Sequence, residues 1–383
     1  MLDHSFFYLI AAALCAGLIS FTTTPLARVF AFKVGAVDVP KDERRMHNKP
    51  IPRLGGLAIF LGFSVAALAF CDFTPTLLSI YFGGLVIVVV GVLDDIFRLN
   101  AWVKFIVEIA VAFIPISQGL SIEFINLFGE YVVFGVFEIP ITVLWIVGLT
   151  NAINLIDGLD GLSCGISVIC SLSLLLCSIL VLDNFALTML TAILAASCLG
   201  FLPFNSNPAK IFMGDTGALF LGYTLSVLSI SGLFKMHAVL SFMIPISIFA
   251  LPLFDTIFAV VRRIASGHSP FSPDRGHIHH RLIDIGFNQK QTVYILYSVC
   301  GILGISAVMF SIWGSWKSGM ILVVAFLIFA FNYAVLKHPE TRKLTGFDLP
   351  ELKKTDKIEE EKHIAHDDVK IVENDGDGNR EEK

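Results

Sequence analysis

Apolar runs long enough to cross a lipid bilayer recur along almost the whole chain, near residues 5–27, 55–72, 76–93, 100–118, 140–157, 161–182, 184–203, 214–233, 237–261, 292–311 and 318–336. A helix needs about 20 residues at about 1.5 Å rise to cross the hydrocarbon core. The pattern therefore predicts an all-α polytopic membrane protein with about eleven transmembrane helices. Composition agrees, since 55% of the 383 residues are hydrophobic and the mean hydropathy is +0.78, far from a soluble domain. The first run is too long for a removed signal peptide and lacks a basic leader and a small-residue cleavage site.

Basic residues set the expected orientation. With the N-terminus outside and the C-terminus cytosolic, 25 of the 27 Lys and Arg fall on the inner side, leaving Lys235 and Lys317 outside. The net charge of −5 belongs to the tail, because residues 350–383 carry 12 acidic and 7 basic side chains. With almost no apolar content there, nothing repays the entropy of folding. We therefore expect a membrane domain over 1–345 and a disordered acidic cytosolic tail over 346–383. The seven cysteines have no metal-ligand spacing and read as small buried hydrophobes. Residues 119–139 are β-branched and aromatic with a turn at Gly129–Glu130, which predicts a small β-hairpin on the outer surface.

Polar chemistry gathers at the inner ends of the runs. Asp94 and Asp95 close the third run, at the negative end of a helix dipole, where they need a divalent metal or a cationic partner. Asn151, Asn154 and Asp157 are spaced by three and share a helix face. Gly158 and Gly161 then break the helix beside Asp160. Amides there suit a nucleobase or an amide-bearing sugar, and carboxylates suit a metal, ribose hydroxyls or base N–H groups. Asp215, where the eighth run begins, is either a helix cap or a metal ligand.

The loop after the ninth run carries Arg262, Arg263, His268, Arg275, His277, His279, His280 and Arg281. Imidazoles and guanidiniums in that density read as an anion clamp; a zinc site and a plain basic loop are the alternatives. Lys104 lies within reach of Asp94 and Asp95, though Glu108, one turn on, offers it a partner. Asp255 is an acid inside apolar sequence, expected to support the site or a helix break. Arg44, Arg45, His47, Lys49 and Arg53 either attract anionic substrate or lipid or simply follow the positive-inside rule. A transporter would spread polar groups across both faces. One-sided acids for Mg2+ or Mn2+, cations for phosphate and amides for a nucleotide instead suggest joining a nucleotide-activated group to a phosphate-headed lipid.

The runs VLDDIFRLN at 92–100, NAINLIDGLDGL at 151–162, PAKIFMGDTGALFLG at 208–222 and SPDRGHIHHRL at 272–282, with PRLGG at 52–56, resemble the polyprenyl-phosphate N-acetylhexosamine-1-phosphate transferase family over roughly 10–336. The resemblance implies a Mg2+-dependent enzyme, with Mn2+ as an alternative, in the bacterial cell membrane with its active site facing the cytoplasm. Its partners would be UDP-GlcNAc, undecaprenyl phosphate and membrane lipid, without nucleic acid; a homodimer stays open. The histidines followed by Arg281-Leu282 resemble the GlcNAc branch, which initiates teichoic acid linkage units, O-antigen or enterobacterial common antigen. The phospho-N-acetylmuramoyl-pentapeptide branch is the alternative.

The family's essential acidic pair maps onto Asp94 and Asp95, one of them the base for the lipid phosphate. Its metal ligands map onto Asp157 and Asp215. Asn154, Asp157 and Asp160 match residues around metal and nucleotide, and His279 and His280 match the histidines that embrace the sugar-phosphate. Lys104, Asn151, Arg275, His277 and Arg281 are expected to contact substrate. Glu108 departs from the glutamine many relatives carry. Around one Mg2+, the carboxylates of Asp94, Asp95, Asp157 and Asp215 should converge within about 10 Å.

Overall fold

The computed structural model describes residues 2–39, 50–127, 130–235, 242–269 and 276–313. The helices among them are α1 (Leu2–Val34), α2 (Gly56–Phe70), α3 (Pro75–Phe97), α4 (Ala101–Ser117), α5 (Glu138–Leu155), α6 (Leu162–Cys177), α7 (Phe185–Asn205), α8 (Gly214–Gly232), α9 (Met243–Ile248), α10 (Ala250–Ala265), α11 (Ile278–Asp284) and α12 (Gln289–Trp313). Two antiparallel strand pairs interrupt them, β1 (Val37–Asp38) with β2 (Ile51–Pro52), and β3 (Phe124–Leu127) with β4 (Glu130–Val133). The chain is thus an all-α, multi-pass membrane protein with small hairpins. Six described helical segments are long and apolar enough to cross a bilayer: Ser5–Val34, Pro75–Phe97, Gly135–Leu155, Leu162–Leu182, Phe185–Asn205 and Gln289–Trp313. The expected run at 318–336, the acidic tail, the turn residue Gly129, and Arg44, Arg45, His47, Lys49, Arg275 and Lys317 lie outside the described residues, as does the Lys235 side chain.

The ninth run is not one helix. It breaks at Phe249, between α9 and α10. Pro252 has no N–H to give the Ile248 carbonyl, which removes a helical hydrogen bond at the junction. Cys170 Sγ, 3.4 Å away, takes up that carbonyl instead.

α8 lies at the centre, packed by α2, α3, α5, α6 and α7, and every residue from Thr216 to Ile230 is buried. A helix enclosed by protein needs no continuous apolar surface, so α8 tolerates Thr224, Ser226 and Ser229 and is not among the six apolar spans. Ser226, Ser229 and Tyr223 are satisfied locally or across helices, whereas Thr224 Oγ1 is buried without a partner among the described residues. Ser226 donates to the Tyr223 carbonyl at 2.7 Å, and Tyr223 Oη donates to the Ser79 carbonyl at 3.0 Å. Small residues let backbones approach closely, the usual solution where packing rather than water drives helix association. A Cβ on Gly56 would sit 2.1 Å from Gly217 N, and one on Gly91 2.5 Å from Thr216 Cα.

The β3–β4 hairpin occupies the expected 119–139 segment, but the strands are shorter and α5 already begins at Glu138. Ser121 donates to Glu138 and Ile122 N–H to Thr142 Oγ1 at 2.9 Å, which seats the segment on the N-terminal end of α5. The β1–β2 pair was not anticipated. It brings Asp38 opposite Ile51, and Pro52 then accepts from Phe212 N–H at 2.8 Å. Gly55 and Gly56 donate to the Phe212 and Met213 carbonyls at 2.9 Å, so residues 52–56 run along the entry to α8.

Because the atoms facing Gly56 are backbone, Gly56→Ala should overpack the α2–α8 contact and cost about 1–3 kcal/mol or more. Gly301 in α12 has open space at its Cβ position, so Gly301→Ala should be neutral or slightly stabilising through helix propensity. Thermal unfolding of both variants in detergent checks this pair; equal melting points would contradict the packing account.

Candidate active site

Asp94 and Asp95 end α3 but do different things. Arg98 turns left-handed, with φ of 56°, and returns its N–H to the Asp94 carbonyl at 2.8 Å, which stops the helix. Leu99 N–H then donates to Asp94 Oδ1 at 2.7 Å. Asn100 caps α4 through Trp102 N–H at 3.0 Å, and Lys104 in its first turn reaches back. Its Nζ lies 3.0 Å from Asp94 Oδ2 and 2.6 Å from Asp215 Oδ2. Lys104 is therefore the cation that the acids at a helix C-terminus require.

Asp95 is buried and faces the start of α8. Its Oδ1 accepts from Asp215 N–H at 3.1 Å, and its Oδ2 from Thr216 N–H at 3.0 Å and Thr216 Oγ1 at 2.7 Å. The α8 N-terminus has no side-chain cap of its own, so a carboxylate from another helix supplies the missing acceptors and meets the positive dipole end. Gly214, with φ of +72°, permits this approach, because a Cβ there would lie 1.9 Å from the Arg53 carbonyl and 2.5 Å from Asp95 Oδ2. Glu108 does not take Lys104 as its hydrogen-bond partner. It is 3% exposed and accepts from Asn151 Nδ2, which also donates to the Val147 carbonyl at 2.9 Å.

Beside this cluster opens a cavity of about 280 Å³, walled by Asn154, Asp157, Gly158, Asp160, Asp215 and His280 from the expected set. Asp38, Arg53, Asn205, Asp284 and Gln289 also line it. Of these Arg53 carried a sequence signal as one basic residue of a loop, and Asn205 as the start of the polar run that leads to Asp215. Asp38 and Arg53 arrive through the β1–β2 pairing, a contact across an intervening segment that no local pattern announces. Asp160 braces the wall, its Oδ2 accepting from Asn207 Nδ2 at 2.9 Å and Ala209 N–H at 3.0 Å. Asn207 also donates to Gln289 Oε1 at 2.7 Å, tying in the start of α12.

The histidines stand on α11. His277 precedes it, with Nδ1 2.9 Å from Asp255 Oδ2, and Ile278 N–H donates to Asp255 Oδ1 at 2.8 Å. His279 is 2% exposed and neither ring nitrogen has a hydrogen-bond partner among the described residues. It lies over Gly158, whose Cβ, if present, would be 2.3 Å from His279 Nε2. Burial first, then the neighbouring His280, pushes the His279 pKa down to about 4, so the ring is neutral at pH 7. His280, with its ring 4.3 Å from that of His279, reaches the cavity. Arg281 is exposed and is not among the residues lining the cavity; neither are Asp94, Asp95, Lys104, Asn151, His277 and His279.

Asp94, Asp95 and Asp215 thus meet directly, and Asp157 shares the cavity wall with Asp215. Among the described residues, no group of three or more His, Cys, Asp or Glu is arranged to hold a metal ion. Lys104 stands between Asp94 and Asp215 in this arrangement.

Comparison with known proteins gives the family. Residues 77–233, which include Asp94, Asp95, Asp157, Asp160 and Asp215, match the model of glycosyl transferase family 4. A "probable undecaprenyl-phosphate N-acetylglucosaminyl 1-phosphate transferase" of Bacillus subtilis (strain 168) is 43% identical over 332 residues, covering 86% of this chain and 90% of that protein. A decaprenyl-phosphate N-acetylglucosaminephosphotransferase of Mycobacterium tuberculosis is 34% identical over 77% of this chain and 80% of its own. An undecaprenyl-phosphate alpha-N-acetylglucosaminyl 1-phosphate transferase of Escherichia coli O157:H7 is 31% identical over 81% and 88%. With similarity of that extent, the chain belongs to glycosyl transferase family 4, in its polyprenyl-phosphate N-acetylglucosamine-1-phosphate transferase branch.

Proposed function

We propose that this protein transfers N-acetylglucosamine-1-phosphate from UDP-GlcNAc to undecaprenyl phosphate and releases UMP. The observation that carries the reading is the 43% identity to the Bacillus subtilis relative along 86% of the chain. A phosphate oxygen of the lipid attacks the phosphorus that bears the sugar. The bond from that phosphorus to the bridging oxygen breaks, and UMP leaves with its electron pair. The product is a lipid pyrophosphate carrying the sugar.

The donor set suits a hard divalent cation, since Asp157 and Asp215 offer carboxylate oxygens to one cavity. We assign Mg2+, or Mn2+ in its place, to these two residues; when bound, it neutralises the pyrophosphate and the departing UMP. Asp95 is buried and turned to α8, whereas Asp94 is half-buried and held by Leu99 N–H and Lys104; we assign to Asp94 the proton taken from the lipid phosphate. Lys104 holds Asp94 and Asp215 in place and adds positive charge for phosphate. Asn154 and Asp160 face the nucleotide or sugar in the cavity that His280 also lines, and neutral His279 has an N–H to donate. Asn151 and His277 act behind the wall, and Arg275 and Arg281 are assigned to donor binding from the sequence motif they belong to.

For the whole chain we propose eleven spans, with the N-terminus outside and the cavity opening to the cytosol. The supporting observation is the separation of basic residues across the runs. The membrane domain then covers 1–345 and the acidic tail 346–383.

Purified protein in detergent with undecaprenyl phosphate and Mg2+ should release UMP from UDP-GlcNAc; turnover with the muramoyl-pentapeptide donor alone would move it to the other branch. Asp215→Asn keeps the shape but removes a negative ligand, so activity should collapse by about 10²-fold or more and partly return at high Mg2+. Unchanged activity at ordinary Mg2+ would sink the ligand assignment. His280→Ala should lower turnover by about 10²-fold if its contact tightens in the transition state. Metal binding should hold steady in that variant, and loss of a tightly held zinc ion would disprove the clamp.

A further inference from the structure

Asp255 is a carboxylate in the middle of an apolar helix. It is 4% exposed, while Phe254, Ile257 and Phe258 of the same helix are exposed. Burying a carboxylate is costly unless its oxygens are satisfied. Both hydrogen-bond partners of Asp255 among the described residues come from one place, the start of α11: Oδ1 takes Ile278 N–H at 2.8 Å and Oδ2 faces His277 Nδ1 at 2.9 Å.

α11 has only seven residues and no side-chain cap of its own, and a helix so short does not sustain itself. Its position is therefore imposed from outside, and Asp255 fixes its first turn in two directions at once. The consequence passes along the rings. His277, held through Nδ1, lies parallel to His279 at 11° with centroids 5.7 Å apart. His279 in turn rests on Gly158, with neither nitrogen partnered among the described residues, and His280 reaches the cavity.

We propose that Asp255 is a positioning residue for the sugar-nucleotide donor: through His277 and the first turn of α11, it sets where His279 and His280 stand over the cavity. Asp255 touches no substrate itself. The inference rests on the donor-clamp role given above to His279 and His280. It separates the two substrates, because the Asp255 chain ends on the histidines and Gly158, whereas the lipid phosphate is assigned to Asp94 at the end of α3.

The test is steady-state UMP release in detergent, with UDP-GlcNAc and undecaprenyl phosphate varied in turn. Asp255→Asn keeps an oxygen for Ile278 N–H but loses the carboxylate that orients His277. It should raise KM for UDP-GlcNAc by about tenfold or more, as loss of an orienting partner does elsewhere. KM for undecaprenyl phosphate should stay within about twofold. With His280→Ala already in place, Asp255→Asn should cost much less than it does alone, since the two act in one chain.

An unchanged KM for UDP-GlcNAc, an equal rise in both KM values, or fully additive losses in the double variant would each overturn the inference. If Asp255→Asn does not yield folded protein, His277→Ala decides. It leaves the Ile278 bond intact and carries the same expectation of a selective rise in KM for the donor. A deficient His280→Ala beside a normal Asp255→Asn removes this inference alone. A normal His280→Ala removes the donor-clamp reading and this inference with it.

Discussion

The meeting of two helix ends through Asp95 is the constraint on which this end of the bundle depends. α3 finishes with its carbonyls exposed and α8 starts with uncapped N–H groups, and each end is unfavourable alone. One buried carboxylate from α3 accepts Asp215 N–H, Thr216 N–H and Thr216 Oγ1. Asp215 is thereby held with its side chain turned to Lys104, and Lys104 in turn compensates Asp94. Removing one member of such a half-buried group leaves its partners uncompensated, which is why breaking buried ion pairs is far more costly than their net contribution suggests.

That constraint explains the glycines around it. Gly56, Gly91, Gly214 and Gly217 lie where α2, α3 and the approach to α8 come within backbone contact, and a Cβ at any of them would overlap neighbouring atoms. Close approach brings the acids together in a low-dielectric setting, where charge matters more than it would in water. The sharp turn at Gly214 also lets residues 52–56 run beside Phe212 and Met213, which carries Arg53 and Asp38 to the cavity.

The cavity has two walls of different origin. The acidic wall stands on long helices that pack along much of their length, so its geometry comes from the core of the bundle. The wall with His280 stands on a seven-residue helix whose first turn is held by Asp255 and whose Ile278, Leu282 and Ile283 pack on the core.

By itself the sequence determined the membrane setting, the helical class, the segments at which polar chemistry collects and the family. Hydrophobic run length, motif wording and the bias of charge are local and survive without coordinates. It also showed that Asp94 and Asp95 needed a cation, because a helix C-terminus repels carboxylates. Only the tertiary structure decided that Lys104 is that cation, that Asp95 is spent on α8, that Glu108 takes Asn151, and that Asp255 holds His277. It likewise placed Asp38, Asn205 and Gln289 on the cavity and broke the ninth run at Phe249. These choices join residues from 10 to 121 positions apart. The physical reason is that a hydrogen-bond partner is selected by which helices pack together, and packing is a property of the whole bundle.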